Sequence, residues 1–406
     1  MKGLRRHGGR ILALGVFTAV ALGVAGGFRP DAMAWPTRLS PLLSLLGAVS
    51  ARTWFGWTTA LGVPLLLLAL FKGRFFCWRV CPVGFLTELA GRLNPWGRRA
   101  LTRIPVLNRA VLLVITVTAV CGYPLFLWLD PFCLFTGFLA AFRAPVTVAS
   151  AVIGMPFAVV LVMAIAVPNV WCHRVCPLGG LQEVVFQFGK ACRRLFSRNT
   201  ETAVPPDQPR QAVTRRTVLV ALPAAAAGLA AGRLLGPDGR TVLRPPGADL
   251  ARINALCARC GNCLQACPYG LLHPALGEGG LDGLLTPVMK LRSRDADQEQ
   301  YCFQDCVKCT EVCPTGAIRP LTVTAKHQTA IGVAVVDPHR CIAWKNNEYC
   351  AVCDEYCPFK AVKLVKHGDV MCPVVETAKC RGCGACESAC PAEPIAIVVK
   401  PVRQTV

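Results

Sequence analysis

Four cysteine quartets toward the C-terminal end constrain this chain more than any other feature. They run Cys257-x2-Cys260-x2-Cys263-x3-Cys267-Pro268, then Cys302, Cys306, Cys309 and Cys313-Pro314, then Cys341, Cys350, Cys353 and Cys357-Pro358, and last Cys380, Cys383, Cys386 and Cys390-Pro391. The first and last share one spacing, and the middle two are irregular. In this pattern three closely spaced thiolates wrap one [4Fe–4S] cube, and the fourth, before proline, reaches a second cube. Sixteen such thiolates imply four clusters and a chain that conducts electrons. Zinc can use paired Cys-x2-Cys, but zinc sites rarely add a third cysteine two residues on and a terminal Cys-Pro. Disulfides have no reason to repeat this spacing four times.

Composition bears on the rest of the chain. Of 406 residues, 53% are hydrophobic and only 17% charged, with a mean hydropathy of +0.45. These values point to a membrane protein. The net charge of +21 falls almost wholly in the first 244 residues. There the basic side chains sit between long apolar runs, a signature of membrane topology rather than of nucleic-acid binding. The apolar stretches Ile11–Gly27, Thr53–Phe71, Val106–Trp128 and Val146–Val167 are each near the length needed to cross a bilayer. Leu39–Ser50 is shorter and reads as interfacial. The N-terminal tip and the loops around residues 77 and 172 hold most of the Lys and Arg, so the positive-inside rule places them in the cytoplasm.

A polar linker follows, then Thr214-Arg215-Arg216-Thr217-Val218-Leu219 and the apolar stretch Val218–Leu235. A twin arginine before a mildly apolar segment reads as a twin-arginine export signal, and the alternative is a fifth helix with basic flanks. The expected fold class is therefore an α-helical membrane unit, four helices plus a fifth connecting helix, followed by an α+β ferredoxin-like poly-[4Fe–4S] domain. The expected divisions are a four-helix domain over 1–200, a linker over 201–244 and a polyferredoxin domain over 245–406. The expected location is the bacterial cytoplasmic (inner) membrane, multi-pass, with the C-terminal domain periplasmic. The runs Val333–Val336, Val362–Val365 and Ile395–Val399 suit the small strands of a ferredoxin fold. The two regular quartets are expected to pair with each other, with the irregular two nested between them. Sequential pairing is the alternative.

A second cysteine constellation lies in the first half. Residues 77–88 read Cys-Trp-Arg-Val-Cys-Pro-Val-Gly-Phe-Leu-Thr-Glu, and residues 172–183 read Cys-His-Arg-Val-Cys-Pro-Leu-Gly-Gly-Leu-Gln-Glu. This is an internal repeat. If the segments are helical, Cys77 and Cys81 share one face, as do Cys172 and Cys176. Pro82 and Pro177 can break or start a helix. The two pairs together make a four-thiolate site for an Fe–S cluster or another metal centre. Redox-active thiol pairs and simple packing are the alternatives. Glu88 and Glu183, seven residues after Cys81 and Cys176, are candidate proton acceptors or ordinary interfacial carboxylates. Cys121 and Cys133 either pair or are buried, and Cys192 and Cys372 stand alone. No sequence feature calls for haem, a dinucleotide or ATP.

With these motifs in view the chain resembles a known pair of proteins. Residues 1–200 resemble the membrane-embedded ferredoxin-type subunit of periplasmic nitrate reductase systems, four helices with two Cys-x3-Cys-Pro motifs. Residues 214–400 resemble the partner polyferredoxin of those systems and of methylamine-utilisation clusters, and the long gap Cys341-x8-Cys350 is similar to that family's. The resemblance is thus to a fused membrane ferredoxin quinol dehydrogenase, a NapH/MauN-like half joined to a MauM/NapG-like half. It implies a membrane-bound electron-transfer protein that draws on the quinone pool, with quinol as donor, and passes electrons without haem to a periplasmic reductase of the nitrate-reductase type or another redox protein. Nucleic acid is not among the implied partners. The competing reading is a membrane ferredoxin serving cofactor maturation or copper reduction.

Overall fold

The structure, a computed structural model, describes residues 2–22, 34–52, 60–94, 106–124, 126–142, 148–196, 242–280, 283–291 and 301–402, with isolated positions between 222 and 230. The chain divides into two compact units. The first comprises Met1–Leu234 with Ala255–Cys260 and Pro314–Gly316, and the second Leu235–Asn254, Gly261–Cys313 and Ala317–Val406.

The first unit is helical. Its described helices include α1 (Lys2–Leu22), α2 (Pro41–Ala51), α3 (Val63–Lys72), α4 (Phe75–Arg79), α5 (Pro82–Gly91), α6 (Asn108–Val120), α7 (Pro131–Ala140), α8 (Val148–Ala166) and α9 (Pro177–Phe196). Helices α2, α5, α7 and α9 begin on a proline, whose fixed φ suits a first turn and whose missing N–H costs nothing there. Ser40 caps α2 through its side chain and Asp130 caps α7. The core packs Leu42, Leu43, Val83, Ile115, Leu127, Phe132, Phe157 and Leu178, all fully buried. Phe132 meets the rings of Phe17 and Phe76 at centroid distances of 5.6 and 5.8 Å. Burial of side chains this size is worth about 1.5–3 kcal/mol each.

The expectation of four membrane-crossing helices is corrected here. Among the described residues, no helix is long and apolar enough to cross a membrane. A span needs about 20 consecutive apolar residues, and the apolar stretches are cut shorter by their own breakers. Within Thr53–Phe71, residues 53–59 lie outside the described residues, and one helix runs Val63–Lys72. In Val106–Trp128 it ends at Val120, where Gly122 turns the chain at φ 85° and Pro124 follows. Helix α1 opens in Lys2-Gly3-Leu4-Arg5-Arg6 rather than in apolar sequence, and α8 carries Pro156 and stops before Pro168. The multi-pass inner-membrane location rested on those spans and falls with them. The twin-arginine segment and nearly all of Val218–Leu235 lie outside the described residues.

The second unit is built from short strands and single-turn helices. β3 (Gly332–Val336) pairs antiparallel with β6 (Ile397–Pro401), in the register Val333↔Lys400 and Val335↔Val398. β4 (Val362–His367) and β5 (Val370–Val375) form a hairpin that turns at Gly368, φ 61°. β1 (Leu272–Pro274) pairs with β2 (Pro287–Met289). The three apolar runs singled out in the sequence thus fall on β3, β4 and β6. The ferredoxin-like character of this part stands, and its small apolar core is shared between side chains such as Leu271, Ile331, Val362 and Val399 and the cysteines themselves.

Candidate iron–sulfur sites

In the second unit three hollows are each lined by four cysteines. Cys267 joins Cys302, Cys306 and Cys309 in one. Cys341, Cys350 and Cys353 are joined by Cys390 in another. Cys380, Cys383 and Cys386 are joined by Cys357 in the third. The second, third and fourth quartets thus keep three cysteines together, and the first, third and fourth lend their Cys-Pro cysteine to a neighbour. The third and fourth quartets exchange theirs with each other, and the first lends Cys267 to the second. Sequential pairing therefore holds, and the expected pairing of the two regular quartets is corrected. The cause lies in the strands: β3 precedes the third quartet and β6 follows the fourth, so their pairing closes these two quartets into one module. Cys257 and Cys260 fall in the first unit, Cys263 and Cys313 in the second.

Local backbone explains how loops hold thiols so regularly. Gly382 sits at φ 67° with the backbone of Gly332 2.4 Å from where a Cβ would stand, so only glycine fits between Cys380 and Cys383. Backbone N–H groups point at the sulfurs: Ala361 donates to Cys357 Sγ at 3.2 Å and Ala334 to Cys380 Sγ at 3.4 Å. Burial raises the pKa of the Cys353 thiol to about 12 and of the Cys383 thiol to about 11, and repulsion from neighbouring sulfurs adds to it. A bound metal would offset that cost by displacing the protons.

The two Cys-x3-Cys-Pro pairs of the first unit also come together. Burial pushes the Cys77 thiol well up, and Cys81, Cys176 and Cys172 all lie close enough to push it further. The one-helix-face expectation is corrected: α4 ends at Arg79, and Cys81 is the extended cap of α5 (φ −61°, ψ 119°). In the repeat Cys172 lies in a single wide turn over Trp171–Val175, and Cys176 caps α9 at φ −55°, ψ 117°. The proline after each second cysteine starts the following helix, and its cap geometry aims the preceding thiol. Gly84 and Gly179 let that helix approach the carbonyls of Cys77 and Cys172, where an added Cβ would stand 2.7 and 3.2 Å away.

The repeats cross over. Cys77 donates to Gln182 Oε1 at 3.4 Å, and Thr87 Oγ1 lies 3.5 Å from Cys172 Sγ. Thr87 and Gln182 occupy equivalent places in the two blocks, so each block's polar side chain serves the other's cysteine. Glu183 binds Arg74 at 2.6 Å and Arg109 at 2.8 Å, and Glu88 binds Arg10 and Arg92. Burial would raise the Glu183 pKa, but Arg74 and Arg109 outweigh it and hold the carboxylate ionised. Both glutamates are thus held in ion pairs. Sequence reasoning passed over Thr87 and Gln182, although the aligned repeat contained them. It also passed over Asp130, which is fully buried, accepts from Ser40 Oγ at 2.6 Å and is pushed up to about 7 by desolvation.

The remaining thiols are free. Cys133 is buried and contacts Cys260, Cys121 is exposed, Cys192 is partly buried, and Cys372 is buried with its thiol toward the Ala343 carbonyl. A zinc ion would need its sulfurs about 2.3 Å from one point. Among the described residues no group of three or more Cys, His, Asp or Glu is placed to hold a single ion in this way. The cysteine-lined hollows suit a larger body, and an all-thiolate donor set is the one that iron–sulfur cubes take.

Sequence comparison agrees with this chemistry. A family profile described as a 4Fe-4S binding domain matches residues 53–104 and again 148–199, the two stretches that carry the Cys-x3-Cys-Pro pairs. Another 4Fe-4S binding domain profile matches residues 373–396, around the last quartet. The fold and its cysteine sets thus define an iron–sulfur protein of the ferredoxin type. The methylamine utilization ferredoxin-type protein MauM of Methylobacillus flagellatus is 34% identical over 215 residues, 50% of this chain and 88% of that protein. The ferredoxin-type protein NapG of Escherichia coli is 34% identical over 207 residues, 46% of this chain and 86% of its own length. NapG of Haemophilus influenzae is 33% identical over 189 residues, 43% of this chain and 64% of its own length. The chain belongs to this MauM/NapG family of ferredoxin-type proteins, and it is an electron-transfer protein working with a redox partner system. No solved structure matches it.

Proposed function

We propose that the chain is a multi-cluster relay. It would carry four [4Fe–4S] clusters on the ferredoxin cysteines and a further centre on Cys77, Cys81, Cys172 and Cys176, take electrons from a quinol, and deliver them to a partner reductase. The observation that carries the reading is the exchange of Cys357 and Cys390 between neighbouring quartets. Such sharing ties two cubes into one module, the arrangement of two-cluster ferredoxins. Three clusters take the cysteine sets described above. A fourth cluster follows from the sequence pattern of the ferredoxin cysteines alone.

A bound cube supplies one-electron storage with little structural change. The chain's own residues bury the sulfurs, direct backbone N–H groups at them and exclude water, and so set each potential. A quinol releases two electrons and two protons, so its oxidation needs two successive one-electron acceptors and a route for protons. Quinol as donor is supported by the family resemblance and by a first unit in which Cys81, Cys172 and Cys176 lie near Cys77.

Reduction of anaerobically prepared protein by a water-soluble quinol tests the proposal. Cluster EPR signals should grow with quinol and reach the level that dithionite produces. Full reduction by dithionite with none by quinol would remove the quinol donor and leave the relay standing.

A further inference from the structure

Lys326 stands out in the second unit because it is buried, at 5% exposure, and among the described residues no carboxylate is one of its hydrogen-bond or ion-pair partners. It lies on the short helix Val323–Gln328, which Thr322 caps through its side chain. Its ammonium has three N–H donors. They go to Cys302 Sγ at 3.3 Å, to the Phe303 carbonyl and to the Cys306 carbonyl at 2.6 Å. The Phe303 ring is held between Tyr269 and Tyr301, each stacked at 4.3 Å, so the loop that receives the ammonium is fixed.

A buried charge is costly unless it is paired. Among the described residues the anion available to Lys326 is the Cys302 thiolate, which lines one hollow with Cys267, Cys306 and Cys309. By contrast, Cys357 and Cys380 in the neighbouring sets receive neutral backbone N–H groups. Reduction adds one negative charge to a cluster. A fixed cation at hydrogen-bond distance from a ligand sulfur stabilises the reduced form more than the oxidised one, because Coulomb attraction in a low-dielectric site is strong. Hydrogen bonds to cluster sulfurs act in the same direction.

We infer that Lys326 is a potential-tuning residue: its ammonium raises the reduction potential of the cluster on Cys267, Cys302, Cys306 and Cys309, and makes that cluster an electron-collecting centre of the second unit. The inference rests on the proposed cluster assignment.

The test is an EPR-monitored redox titration of the full, anaerobically prepared chain, with iron content measured alongside. Cys302→Ser identifies the cluster's signal by altering it. Lys326→Met removes charge and donors, and Lys326→Gln keeps donors but removes charge. Both should retain the wild-type iron content, and both should shift that one signal to lower potential, Met further than Gln. If no signal responds to Cys302→Ser, the cluster assignment fails. If the signal is present and neither Lys326 variant moves it, the assignment survives and the tuning role is overturned. Should the Met variant lose iron, the Gln variant decides. Loss of the cluster from both would make Lys326 a structural clamp and also overturn the role.

Discussion

The two units gather cysteines by opposite means. The first uses helices: a duplicated block puts one cysteine in a turn and the next at a proline-led helix cap, and the two copies meet. The second uses loops: three cysteines follow one short turn, and the fourth is lent by the neighbouring quartet. In the first, secondary structure stands without the metal and aims the thiols. In the second, four-residue helices and five-residue strands offer little apolar area of their own, so much of the folding free energy has to come from metal ligation.

The largest expected difference is therefore in what metal removal does. Chelation of the iron should unfold the second unit while helical circular dichroism from the first persists. Unfolding of both together, or of neither, would break the contrast. Next in size is the effect of single ligands. Cys357→Ala should strip the cluster of the last quartet while the Cys341/Cys350/Cys353/Cys390 set keeps all its ligands, and EPR of the variant reads which signal disappears. In the first unit Cys77→Ala and Cys172→Ala should behave alike, because the blocks are equivalent. Each should stop quinol-driven reduction and leave dithionite reduction of the second unit intact.

Smaller effects sharpen the account of the first unit. Glu183→Gln breaks charge-assisted bonds to Arg74 and to the buried Arg109, and should cost on the order of 1–3 kcal/mol in denaturant unfolding. In the second unit, by contrast, removing the exposed Lys290–Glu278 pair should cost no more than about 1 kcal/mol. Asp130 gives a pH signature. Its folded pKa is raised to about 7 from an ordinary 3.8, so the folded state holds a proton that the unfolded chain releases. Its contribution is fully present below pH 4 and is lost as pH rises toward and through 7. Asp130→Asn keeps a helix-capping side chain and should flatten that part of the stability profile.

Much of the second unit was legible in the sequence, because ligand chemistry is written in spacing: the sixteen cysteines, their grouping in threes and the strands β3, β4 and β6 could all be read directly. Which quartets exchange their fourth cysteine was not legible, since that depends on β3 pairing with β6 over more than sixty residues. The first unit was legible as a repeat and misread as spans. Hydropathy counted Val106–Trp128 as continuous, whereas the helix ends at Val120 and Gly122 and Pro124 turn the chain. Lys326 carried no signal at all, because a lysine beside a cysteine ligand looks in sequence like any surface lysine.

The central claim is that this chain is a multi-cluster iron–sulfur relay with four cubes on the ferredoxin cysteines. Iron content together with Mössbauer spectra of anaerobically prepared protein tests it most directly. The account predicts about sixteen irons per chain from these motifs, four for each cube, in [4Fe–4S] form, with additional metal lost only when Cys77, Cys81, Cys172 or Cys176 is replaced. Eight irons or fewer, or zinc in their place, would contradict it.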